Sequence, residues 1–351
     1  MPASEIQVYS PKKALKSLAR TLQPSDRCYY LSDDYQVLTR LRRAAGPGST
    51  IQLLEDRFHG AVRKLEKEFL QFSHTINFRN QSESYWDNQM GSRNSATIPL
   101  LRYLVYLHCT LELIEEAAGR LILVCESPAL ARVIATEAQN RGVPCSLHLS
   151  PREWFHMPWL FLRLIPKGVY FLIKGLLQWL YAKTLSNQRI DGGGATEKYI
   201  LRSWVTAGCL DSKATYRDRN FGILPSWLTE QGKEAWIMPM YFNLNRGILK
   251  QMKLMAASST RFLFPEQYLS AFDYLRVLRG GIDNIFIDLA NVRFEGRDVS
   301  ALVKEVHVDS CLPPEQLQRA TVACVLKNLS KRKDMPQIRS AVGAAGDDVY
   351  G

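Results

Sequence analysis

The sequence predicts an α/β fold, an open parallel sheet with helices on both faces. Three observations predict it. Short apolar runs of strand length alternate with longer runs whose apolar residues recur every three or four positions. The run Leu121-Ile-Leu-Val-Cys125 is apolar throughout, as in a parallel strand covered on both sides. The composition, 46% hydrophobic and 23% charged, is that of a chain able to bury a core.

The elements follow in order. Cys28-Tyr-Tyr-Leu-Ser reads as a short strand ending at Asp33 and Asp34, and a helix with Val37, Leu38 and Leu41 follows. Residues 50–54 are the next strand. Over 57–77, Phe58, Val62, Leu65, Phe69 and Phe72 recur at helical spacing. The Ser- and Asn-rich stretch 81–96 reads as a loop. Pro99 then opens a helix to about residue 118, with Leu101, Leu104, Leu107 and Leu111 on one face. After strand 121–125 come Glu126-Ser127-Pro128, a helix to Asn140, a stop at Gly142 and a strand at 145–149. This rhythm makes 1–150 the first part of a Rossmann-like domain. Residues 184–197, with Gly192-Gly-Gly194, read as a linker. The α/β rhythm resumes over 198–312, with strands at 199–205, 235–240 and 260–264 and helices at 224–231, 245–257 and 265–279. Residues 313–351 supply a helix at 314–330 and a tail, basic from Lys331 and then Ala- and Gly-rich, expected to be disordered.

The stretch 151–183 breaks the rhythm. It is long and apolar enough to suggest a membrane helix, but Arg163, Lys167 and Lys174 interrupt it, each costing roughly 2.5–3.5 kcal/mol at mid-bilayer. With Gln178 these cations step by four, seven and four, which draws one polar stripe along a helix. Leu162, Ile165, Val169, Leu172, Leu176 and Trp179 lie opposite. Trp154, Trp159, Trp179 and Tyr181 suit a head-group interface. An amphipathic insertion lying in the cytoplasmic leaflet fits this pattern, with Trp154, Trp159, Arg163, Lys167, Lys174 and Trp179 as its membrane-binding residues. A core helix with paired cations and a true span with snorkelling lysines also fit. Pro158 and Pro166 are expected to bend or divide the helix.

Lys and Arg exceed Asp and Glu by 45 to 34, a net +11. That charge suggests an anionic partner: phospholipid, a phosphorylated sugar or, lowest in rank because the charges are dispersed and no recognition motif is present, nucleic acid. The seven cysteines are scattered and never form a CxxC pair, so buried thiols fit better than disulfides or zinc. The six histidines never pair at metal spacing, and no metal is expected. The start, MPASEIQVYSPKK, has no apolar signal core. A cytoplasmic protein, peripheral on the inner membrane, is the expectation. Phosphate-loop, GxGxxG, GxSxG and HExxH motifs are missing.

Chemistry is expected in the loop after strand 199–205, because ligands bind past the carboxyl ends of strands in open α/β sheets. Arg202, Arg217 and Arg219 can hold phosphate or carboxylate. Trp204 can stack on a sugar ring, Asp218 can act as general base, and Gly222 lets the backbone turn closely. Asn220 completes the candidate substrate-binding set. A charged loop with internally paired Asp and Arg fits as well. Glu266, at the next strand-to-helix turn, is a second catalytic candidate, although an acid there also starts a helix. Glu126-Ser127-Pro128 has the same geometry.

Ser203-Trp204, Tyr216-Arg-Asp-Arg-Asn-Phe-Gly222, Leu224-Pro-Ser-Trp-Leu228 with Gly232, Glu266-Gln-Tyr-Leu-Ser and Phe294-Glu-Gly-Arg-Asp-Val-Ser-Ala-Leu302 together resemble bacterial surface-carbohydrate (O-antigen or capsule) biosynthesis proteins of glycosyltransferase-like GT-B type. The resemblance covers about residues 100–310. It implies two Rossmann-like domains, the first taking a lipid-linked sugar acceptor and the second a nucleotide-sugar donor, with no permanently bound cofactor. It implies that Trp204, Asp218 and Arg219 lie near the cleft between them. Only some 40 residues follow residue 311, whereas a donor domain takes about 150–200. The expectation is a truncated or degenerate glycosyltransferase, one that another protein completes with a donor domain, or a non-catalytic accessory protein of the same pathway.

Overall fold

The computed structural model describes residues 3–23, 26–46, 51–81, 99–116, 119–185, 198–206, 208–211, 215–218, 221–241, 247–312, 314–331 and 341–342. The chain forms two compact units: 1–165 with Asn284–Cys311, and 166–283 with 312–351. The first is a parallel α/β unit, Rossmann-like in its layers. Its strands are β1 (Ala3–Tyr9), β2 (Arg27–Leu31), β3 (Ile51–Gln52), β4 (Gly119–Cys125) and β5 (Cys145–His148), in the order β3-β2-β4-β1-β5, every neighbouring pair parallel.

Side-chain alternation divides the first core in two. Ile122 and Val124 of β4, with Cys28 and Tyr30 of β2, point to the side covered by α1 (Pro11–Thr21) and α2 (Tyr35–Ala45). Leu121, Leu123 and Cys125, with Tyr29 and Leu31, point to the other. There they meet α3 (Glu55–Arg79), α4 (Leu100–Glu116) and α5 (Pro128–Asn140).

Asn284–Cys311 adds a hairpin, β8 (Arg293–Phe294) and β9 (Arg297–Asp298), and a helix, Ser300–Ser310, to the same unit. Phe294 stands edge-on to Phe72 at 5.2 Å, and Asn80 bonds both the N–H and the carbonyl of Asp288. The hairpin turns on Glu295 and Gly296, both at positive φ, as a two-residue turn between twisted strands requires.

The second unit has a smaller parallel sheet, ordered β10-β6-β7, from β6 (Lys198–Val205), β7 (Glu234–Tyr241) and β10 (Ala341–Val342). Leu201, Val205 and Ile237 face one apolar cluster, Ile200, Trp236 and Met238 another. Phe262 adds a single bridge to Ile237 where a strand over 260–264 is expected. The expected helix over 265–279 is instead a 3₁₀ turn, Pro265–Tyr268, followed by a separate helix, Ala271–Asp283. The reason is a cap: Ser270 N–H and Oγ donate to Asp273 at 2.8 Å, while Asp273 N–H donates back to Ser270 Oγ at 3.3 Å. Most of the expected loop at 81–96 and linker at 184–197, and the tail from Lys331 apart from its described residues, lie outside the description.

A four-residue turn of helix, Pro151–Trp154, is followed by one long helix, His156–Thr184, and the chain passes from unit to unit between Ile165 and Pro166. Pro158 sits in the first helical turn, where its missing N–H is harmless, and Pro166 lies inside the helix without dividing it. Gly168 and Gly175 let the helix approach its neighbour closely. A Cβ on Gly175 would lie 2.5 Å from Tyr274 Cε1. Gly175→Ala is therefore expected to cost about 1–3 kcal/mol by overpacking. Gly60, in α3, has nothing within 4 Å of such a Cβ, so Gly60→Ala should gain about 0.5–1 kcal/mol of helix propensity. Urea denaturation of the two variants should move in opposite directions.

Candidate functional site

In an open parallel sheet, a crevice forms beyond the strand ends where the following helices leave for opposite faces. The helix after β2 covers one face and the helix after β4 the other, so the β2/β4 boundary is such a point. Polar side chains gather there. Glu126, just past β4, accepts from Ser32 Oγ past β2, from Arg102 Nη2 at 2.9 Å and from Tyr103 Oη at 2.7 Å. Arg102 also pairs with Asp33. Burial and the Glu126 charge hold Tyr103 in its phenol form, far above the usual range. Ser32 and Tyr103 are buried, while Asp33 is exposed and Arg102 and Glu126 are partly open. The rim therefore offers two carboxylates bridged by one guanidinium, a set suited to sugar hydroxyls.

One residue on, the amino end of α5 is already filled. Glu305, from the returning segment, accepts from Ser127 Oγ at 2.5 Å and from Ala129 N–H at 2.9 Å. His156 Nε2 stands 3.8 Å away, its basicity lowered by burial. Burial pushes Glu305 up to about 7, against the pull of its two donors. An internal carboxylate thus sits where a helix end would otherwise attract a ligand anion.

In the second unit β6 sorts the sequence candidates by face. Arg202 and Trp204, half-buried, alternate with Ser203 and share the side of Ile200. Asp218 lies on the Ser203 side. It accepts from Ser203 Oγ at 3.1 Å, Tyr216 Oη at 2.7 Å and Phe221 N–H at 2.8 Å. Both carboxylate oxygens are engaged, so Asp218 shapes this turn. Arg217, Asp218 and Gly222 line an open cleft of about 730 Å³ with Thr229, Lys233 and Arg261. Its floor includes Glu234 and Ala235, the amino end of β7. Arg219 and Asn220 lie outside the described residues. Glu266 belongs to the other end of β7, near Tyr241 Oη at 3.3 Å. It is 4% exposed, and burial pushes it up to about 7.

The residues assigned to membrane contact also separate. Trp154 and Arg163 are exposed, and Trp159 is open at its edge with Arg152 4.2 Å over its ring. Arg163 is 3.5 Å from Asp309. Lys167 and Lys174 are half-buried, and Gln178 is buried. Trp179 packs inward, its indole N–H donating to Leu269 O at 2.8 Å. Leu162, Ile165, Val169, Ile173, Leu177 and Leu180 are exposed, a ladder at steps of three and four. Leu162, Ile165 and Val169 of the expected apolar face are outward, but beyond Val169 the row continues through Ile173, Leu177 and Leu180 instead of Leu172, Leu176 and Trp179, because Gly168, Gly175 and Ala182 take the packed side. Among the described residues no helix is long and apolar enough to cross a membrane.

Arg102, Tyr103 and Glu305 carry no sequence signal of their own. They reach Glu126 and Ser127 from 24, 23 and 178 residues away. Set against protein-family models, curated proteins and solved structures, the chain matches none.

Glu305 sets a pH test. Folded, it keeps its proton up to about 7, whereas unfolded it loses it near 4.5. The folded state binds the extra proton in that window, so this group's contribution to stability falls as pH rises through it. His307, buried and lowered to about 4, acts in the opposite sense over the acidic part. The test is therefore a difference: from about pH 5 to about pH 8, Glu305→Gln should gain on wild type by a few kcal/mol on the order of magnitude, read by urea denaturation.

Proposed function

We propose that this chain is a membrane-associated, glycosyltransferase-like protein of bacterial surface-polysaccharide biosynthesis that binds or acts on lipid-linked sugar acceptors. It docks peripherally on the cytoplasmic face of the inner membrane. The observation that carries the docking is the exposed ladder Leu162, Ile165, Val169, Ile173, Leu177 and Leu180 along one continuous helix. Single exposed apolar residues are ordinary, but a row of six on one helix marks a contact surface. Fully burying one such side chain is worth roughly 1.5–3 kcal/mol, and each cation near an anionic leaflet adds about 1 kcal/mol. Arg163, Lys167 and Lys174 on the same helix supply such cations.

The sugar half rests on the resemblance in residues 203–302 and on the polar groups at the two candidate clefts. A nucleotide sugar is the donor class that this reading calls for, with another protein as a source of a donor domain. The non-catalytic accessory role is the second reading. The full engagement of Asp218 by Ser203, Tyr216 and Phe221, and the burial of Glu266, favour it.

Vesicle co-sedimentation tests both halves. Wild type should sediment with phosphatidylglycerol-containing vesicles, and Ile173→Asp/Leu177→Asp should stay in the supernatant with an unchanged circular-dichroism spectrum. Wild type left in the supernatant would sink the docking. Doping the vesicles with a polyprenyl-diphosphate sugar should tighten binding about tenfold, about 1.4 kcal/mol. Equal binding to doped and plain vesicles would remove the lipid-linked sugar.

A further inference from the structure

The second unit carries another helix with an outward apolar face. In Ala271–Asp283, Asp273, Tyr274, Val277 and Gly281 are buried. The side left to solvent carries Phe272, Leu275 and Ile282, exposed by 77%, 52% and 41%. Interleaved with them are Arg276 and Arg279, with side chains 72% and 83% exposed. An ordinary surface helix puts polar residues outward. Here the outward side carries three large apolar residues, with two cations between them and Asp283 at the end.

This helix lies beside residues 166–184 of the long helix. Gly168 meets Leu278, Gly175 meets Tyr274, and Trp179 bonds the carbonyl of Leu269. As one sequence rises the other falls, so the two helices run antiparallel. At about 100° per residue, these contacts fix the rotation of both. The exposed Val169, Ile173 and Leu180 then turn to the same side of the pair as Leu275 and Ile282.

We propose that Ala271–Asp283 is a second bilayer contact, resting on the membrane docking proposed above. Phe272, Leu275 and Ile282 enter the acyl boundary, and Arg276 and Arg279 bind lipid phosphate. Charge selects an anionic bilayer as the occupant. The acidic neighbours of the two arginines lie within the same helix: the buried Asp273, 3.6 Å from Arg276, and the exposed Asp283, 3.8 Å from Arg279; at such distances, with both guanidiniums open to water, they compete weakly with a phosphate surface. A second copy across a two-fold axis would set like charges against each other.

The test is a flotation assay of the full chain on phosphatidylcholine vesicles with and without phosphatidylglycerol. Phe272→Ser/Leu275→Ser should lower partitioning on both, by roughly tenfold or more. Arg276→Gln/Arg279→Gln, a change at two largely exposed side chains, should lower it by roughly ten- to thirtyfold on the anionic vesicles alone. Wild-type binding by either double variant overturns this proposal. It leaves the docking standing if Ile173→Asp/Leu177→Asp still fails to bind. Wild type that floats on neither vesicle overturns both. A dimer in sedimentation velocity that Phe272→Ser/Leu275→Ser breaks up makes a second copy the occupant and also overturns it.

Discussion

Everything in the first unit depends on the parallel pairing of β4 between β1 and β2. Leu121, Ile122, Leu123 and Val124 have no measurable exposure, so each of their four side chains must find an apolar partner on one face or the other. That demand fixes the register, because a slip of one residue would exchange the two faces. It also fixes the chemistry. With β4 in the middle, the turns after β2 and β4 become neighbours, and Ser32, Asp33 and Glu126 come together although 94 residues separate Ser32 from Glu126.

Burial then decides which polar groups remain available. Glu305 and Glu266 are closed off from water, and both hold a proton more tightly than a free glutamate does. Such a group is stable only where donors reach it, and Glu305 has Ser127 and Ala129. Arg102, Asp33 and Glu126 keep access to solvent, with the one guanidinium shared between two carboxylates. The groups open to a ligand are therefore at the rim, and the deeper carboxylate serves the packing of the returning segment.

Much of this was legible in the sequence. β2, β4 and β5 and the helices α2 to α5 follow from apolar spacing alone, because each buries a regular stripe. β1 did not announce itself. Its Glu5 and Gln7 alternate with Ile6 and Val8 in a run too short to stand out, and Gln7 finds its partner in Arg120, 113 residues on. The break before Ala271 was written as Ser270 and Asp273, a cap signal weaker than the apolar pattern running across it. The return of Asn284–Cys311 to the first unit has no local signature, since it is set by Phe294 on Phe72 and Glu305 on α5. In the loop after β6, residue types pointed to chemistry, but strand alternation put Arg202 and Trp204 on one face and Asp218 on the other.

The long helix shows most plainly how sequence pattern and packing differ. A stripe of cations suggests the wet side of an amphipathic helix, and the larger apolar residues then suggest the contact side. Packing added a second requirement. Residues 166–184 come close to Leu278 and Tyr274, and Gly168 and Gly175 stand at the two points of approach. The small residues therefore take the inward side, and Val169, Ile173, Leu177 and Leu180 are left outward. For a helix ending its life in water this would be a poor use of its apolar residues. The arrangement becomes favourable once an apolar phase covers the outer face, because the close helix contact and the large outward side chains no longer compete for the same surface.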